Sequence, residues 1–85
     1  MLYLIKNVTT GTIKIGISKN PTKRLKQLQT GNANKLQLIK VYDVEQERHW
    51  EKRLHKMFWQ NRLKGEWFKL VPLKDYLSLI DSTLT

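Results

Sequence analysis

Residues Thr12–Ser18 read Thr-Ile-Lys-Ile-Gly-Ile-Ser. Ile13, Ile15 and Ile17 alternate with Lys14 and Gly16, the period-two pattern of a half-buried strand. The isoleucines face a core, and Lys14 points away from them. Upstream, Leu2–Lys6 is apolar and aromatic and reads as a second strand. Asn7–Gly11 (Asn-Val-Thr-Thr-Gly) is a turn, so the two strands form a β-hairpin. Downstream, Asn20 caps a helix that opens on Pro21, buries Leu25 and Leu28, and ends near Gly31. Asn32–Lys35 is a loop, and Leu36–Tyr42 a third strand. From Asp43 to about Asn61 the pattern is helical, with Trp50, Leu54, Met57 and Phe58 as the core-facing stripe. Gly65 breaks the chain, Glu66-Trp67-Phe68 is short and extended, and Pro72–Leu84 forms a last helix. The order ββαβαα predicts an α+β fold: a small, three-stranded antiparallel sheet flanked by helices. No repeat, low-complexity tract or linker divides residues 1–85, which form one domain with no separate DNA-binding domain.

The chain has no cysteine, which excludes disulfides and thiolate metal sites and fits a reducing compartment. The start, Met-Leu-Tyr-Leu-Ile-Lys-Asn, turns polar too soon for a signal peptide. No run approaches the roughly 18 apolar residues of a membrane span. A cytoplasmic location, in a bacterial or phage-infected cell, is the expectation. The formal net charge is +9. Between Met1 and Lys40 stand eight basic residues and no acid; all seven acids lie between Asp43 and Asp81. An acid-free basic half is an electrostatic footprint for a polyanion, most simply nucleic acid. An ordinary solvated basic surface is the bland alternative. The lysines do not share one face of a long amphipathic helix, which argues against a membrane surface.

Four residues form a minimal set for cutting a phosphodiester. Tyr3 can activate water, Lys14 and Arg24 can hold the phosphate, and Glu51 can hold a metal ion. Gly16 shares the face of Lys14, and glycine within a strand marks a close approach, here an opening for a phosphate. Arg24 lies at the edge of the buried side of its helix, and its planar fork donates two hydrogen bonds at once. Lys19, Lys23 and Lys26 could bind neighbouring phosphates as point charges. Glu51 borders the apolar stripe, where a carboxylate is costly to bury without a cation. Glu47, Glu51 and His55 are spaced i, i+4, i+8, but about 12 Å of helical rise separates first from last, too far for one ion. That leaves a Glu51–His55 helical pair, or Glu51 as sole protein ligand of a hydrated magnesium ion.

These residues carry a resemblance. Met1-Leu2-Tyr3, Lys14-Ile15-Gly16, Arg24 within Asn20–Leu25, Glu51-Lys52-Arg53-Leu54-His55 and Gly65-Glu66-Trp67-Phe68 stand in the order and spacing of GIY-YIG motifs. Over roughly residues 1–70 the chain resembles the GIY-YIG nuclease superfamily, in particular its short branch common in phage genomes. It departs from the pattern at Met1 (for glycine) and Lys14 (for tyrosine). Leu28 stands where some members have histidine, and Asn61 is the nearest counterpart of an asparagine often found after the glutamate. The resemblance implies a DNA endonuclease using one divalent ion, Mg²⁺ or Mn²⁺. Tyr3 would activate water, Lys14 would lower the phenol pKa or hold the phosphate, and Arg24 would stabilise the transition state. Glu51 would hold the metal, with His55 and Asn61 as auxiliary residues. A domain this small would draw its specificity from loops, a homodimer or a partner protein.

Two other readings compete. One is a binding module of the same fold with little or no cleavage. The other is an RNA-binding protein that stacks bases on Trp59 or Trp67, to which the four-residue set is surplus.

Overall fold

A computed structural model describes all residues, Met1–Thr85. The elements are β1 (Leu2–Asn7), β2 (Ile13–Ile17), α1 (Pro21–Thr30), β3 (Leu36–Tyr42), α2 (Glu47–Met57), β4 (Arg62–Lys64), β5 (Trp67–Phe68) and α3 (Leu73–Leu84). A 3₁₀ turn at Trp59–Asn61 joins α2 to β4. The five strands form one antiparallel sheet in the order β3-β1-β2-β5-β4. No helix is long and apolar enough to cross a membrane.

The hairpin forms for local reasons. Asn7 Oδ1 accepts from the amides of Thr9 and Thr10, both at 3.1 Å, and Gly11 takes φ +76° to close the turn. Register then places Tyr3 opposite Gly16 and Leu4 opposite Ile15. Because side chains alternate, the sheet has two buried faces. Leu2, Leu4, Ile13, Ile15 and Phe68 pack with Leu54 and Phe58 of the α2 region and Ile80 of α3. Tyr3, Ile5 and Leu36 pack on the other face with Leu25 and Leu28 of α1. Helices therefore cover both sides.

The sheet corrects the expected three strands and the order ββαβαα. β4 and β5 are too short to show a period, and in Arg62-Leu63-Lys64 the only apolar residue, Leu63, is exposed. The helix expected from Asp43 begins only at Glu47, because Gln46 takes a left-handed conformation (φ 55°). It stops at Met57, and Met57 is 40% exposed, so the core stripe is Trp50, Leu54 and Phe58.

The brevity of β5 positions the site. It pairs with β2 only at Ile13–Phe68 and Lys14–Trp67, with one further bond from Ile15 N–H to Glu66 O at 3.1 Å. The Ile15 carbonyl, facing the same side, has no strand beside it. His55 on α2 occupies that place, its Nε2 2.8 Å from Ile15 O.

Candidate functional site

The open place beside β2 gathers side chains from five elements. A carbonyl only accepts, so Nε2 of His55 donates to Ile15 O, and Nδ1 is the ring atom left with a lone pair. Glu51 lies one turn earlier on α2, and Glu66 arrives from the turn between β4 and β5. Donor atoms of Glu51, His55 and Glu66 lie within 4.8 Å of one another, and all three residues are half-buried. Sequence reasoning missed Glu66 as a ligand, using it only within a motif. The available signal was its isolation, since no other acid lies between Glu51 and Asp75. Glu47, considered with Glu51 and His55 for one ion, pairs instead with the Met1 amine.

Lys14 is on the Tyr3 face, as the strand period requires, but it is buried. Its ammonium lies 3.0 Å from Glu66 Oε2 and over the Trp67 ring, 5.8 Å from the centroid. Gly16 offers no opening: a Cβ there would stand 2.5 Å from the Tyr3 hydroxyl and 2.6 Å from Cζ, so the tyrosine ring fills the space expected for a phosphate. Arg24 is exposed rather than at a buried edge, with Nη1 3.5 Å from Gln27 Oε1. Lys19, Lys23 and Lys26 are exposed near it. Asn61 serves the fold. Its amide nitrogen donates to Lys69 O at 3.0 Å and to the Tyr76 hydroxyl at 3.1 Å, which uses both hydrogens.

The charges act on one another. Burial raises the Tyr3 pKa above its ordinary value; hydrogen bonding and the charge of Arg24 pull it back, and Glu66 and Glu51 push it up again. Tyr3 is therefore a neutral phenol near pH 7, and Arg24, rather than Lys14, is the cation that favours its ionisation. Lys14 is engaged by Glu66. The Glu51 carboxyl is also raised, first by burial and then by Glu66, against the pull of His55, Lys14 and Arg48.

Two carboxylates and an imidazole, which ligates metal in its neutral form, suit a divalent ion: oxygens for Mg²⁺, oxygens and nitrogen for Mn²⁺. The Glu51–Glu66 repulsion is what such an ion would relieve. The Tyr3 phenol feels both these carboxylates and the Arg24 guanidinium.

No curated protein and no solved structure matches the chain. A family model, the T5orf172 domain, matches residues 1–83, and on that match the chain belongs to the T5orf172 domain family.

Proposed function

We propose that this chain is a divalent-metal-dependent DNA endonuclease of GIY-YIG type, a hydrolase of phosphodiester bonds. The observation that carries the reading is the convergence of Glu51, His55 and Glu66 within 4.8 Å, with Tyr3 under the electrostatic influence of Arg24, Glu66 and Glu51. When bound there, Mg²⁺ or Mn²⁺ would supply Lewis-acid polarisation of a phosphate oxygen.

The chain's own residues do the rest. Arg24 receives the scissile phosphate and stabilises the charge that grows on its oxygens in the transition state. Tyr3 directs its hydroxyl at the attacking water. Burial holds its proton on, and the Arg24 guanidinium favours its release. Lys14 anchors Glu66 through their ion pair. Lys19, Lys23 and Lys26 hold flanking phosphates. DNA is the partner, with a homodimer or second protein supplying specificity, in the cytoplasm of a bacterial or phage-infected cell.

A DNA- or protein-binding module with the same fold is the second reading. It is favoured by the burial of Tyr3 and by the engagement of Lys14 with Glu66. Single-turnover cleavage of a labelled duplex with Mn²⁺ separates the two. Arg24→Ala should slow cleavage at least about 100-fold, the scale of losing one oxyanion donor. Lys26→Ala should change mainly affinity and salt dependence. Equal rate losses would deny Arg24 its role, and a wild type that binds without cutting would favour the module.

A further inference from the structure

A second cationic surface lies outside the acid-free half. On α2, Arg48, Lys52 and Lys56 are exposed and spaced i, i+4, i+8, so they form one row, about 12 Å long at 1.5 Å per residue. Trp59 follows three residues after Lys56, in the 3₁₀ turn, and is 66% exposed, far more than a tryptophan that serves the core. From Lys52 to Lys64 there are five Lys and Arg and no acid. The two acids of α2 are turned aside: Glu47 pairs with the Met1 amine, and Glu51 faces His55 and Glu66.

From this face we infer a binding track for an unpaired nucleic-acid strand, with Arg48, Lys52 and Lys56 along its backbone and Trp59 stacked on a base. Cations in a row track a polyanion, and an open indole face gains most from a base that is not already stacked in a duplex. The row shares α2 with Glu51 and His55, Lys52 following Glu51 and Lys56 following His55, so a strand held there runs along the helix that carries two of the candidate donors. The inference rests on nucleic acid being the ligand, and it does not require cleavage.

The test is binding of a short oligo(dT) and of a duplex of equal length in EDTA, read by intrinsic tryptophan fluorescence and by anisotropy. Trp59→Ala should weaken oligo(dT) binding about 5- to 150-fold, the range for one lost base-stacking partner. It should remove most of the quenching and leave duplex affinity unchanged. Lys52→Ala and Lys56→Ala should each flatten the plot of log affinity against log salt by about 0.7; Lys74→Ala on α3 should not. Trp59 is exposed, and an unchanged far-UV circular dichroism spectrum would show that the variant folds. Wild-type oligo(dT) affinity in Trp59→Ala, or an equal loss for duplex, overturns the inference. Cleavage is absent in EDTA, so a protein that cuts DNA but ignores Trp59 loses only this inference. One that needs Trp59 but never cuts loses only the nuclease reading.

Discussion

At Gly16 the tyrosine ring of the neighbouring strand stands where a side chain would be. Gly16→Ala must displace Tyr3, which is 1% exposed and has little room to move. Overpacking of this kind costs about 1–3 kcal/mol, which urea unfolding would measure. The cost should shrink in a Tyr3→Ala background, because the obstacle is then gone; additive losses would show that the ring is not the obstacle. Glu51 gives a second prediction at this scale. Its folded pKa is raised, so the native state keeps the proton longer than the unfolded chain. That contribution favours the fold at low pH and is lost as pH rises from the ordinary carboxylate range through the folded value. In metal-free protein at pH 7, Glu51→Gln should therefore melt higher than wild type, and the two should converge below about pH 4. Adding Mn²⁺ should raise the melting temperature of wild type more than that of the variant. A variant that melts lower at pH 7 without metal would mean that the ionised carboxylate is well paired.

Among the elements, the turn between β4 and β5 decides whether Glu66 reaches the other two donors. Gly65 holds φ +57°, and a Cβ there meets nothing within 4 Å. Gly65→Ala should thus cost only backbone strain, about 1–2 kcal/mol. In calorimetry Glu66→Gln should weaken Mn²⁺ binding, because the carboxylate that the turn delivers is then gone. Unchanged binding would remove Glu66 from the site. This turn was also the least legible part of the sequence. β1, β2, α1 and β3 announce themselves: Ile13, Ile15 and Ile17 alternate, and Asn20 caps α1 by accepting from Lys23 N at 3.1 Å, as its place before Pro21 suggests. A two-residue strand and a three-residue strand carry no period, so the hairpin and the placement of Glu66 depended on tertiary pairing. The same holds for Gly16, where a close approach could be inferred but not what approaches. Burial of Lys14 was hidden because its partner lies 52 residues away.

Across the whole molecule, a two-faced sheet brings the acid-free first half and the mixed second half together at one place. β1, β2 and α1 supply Tyr3, Lys14 and Arg24; α2 and the β4–β5 turn supply Glu51, His55 and Glu66. The same elements carry exposed cations, Lys19, Lys23 and Lys26 in and before α1 and Arg48, Lys52 and Lys56 along α2. If the partner is the polyanion proposed, a net charge of +9 should steer it to the protein, and that steering should weaken with salt. On the reading proposed above, the three donors of Glu51, His55 and Glu66 support hydrolysis of that polyanion. Its most direct test is incubation of the purified protein with supercoiled plasmid and Mg²⁺ or Mn²⁺, beside an EDTA control and Glu51→Ala. Nicked or linear DNA should form only with wild type and metal, while Glu51→Ala still folds and binds DNA; intact plasmid with every metal, or cutting by Glu51→Ala at the wild-type rate, would deny the cluster this role.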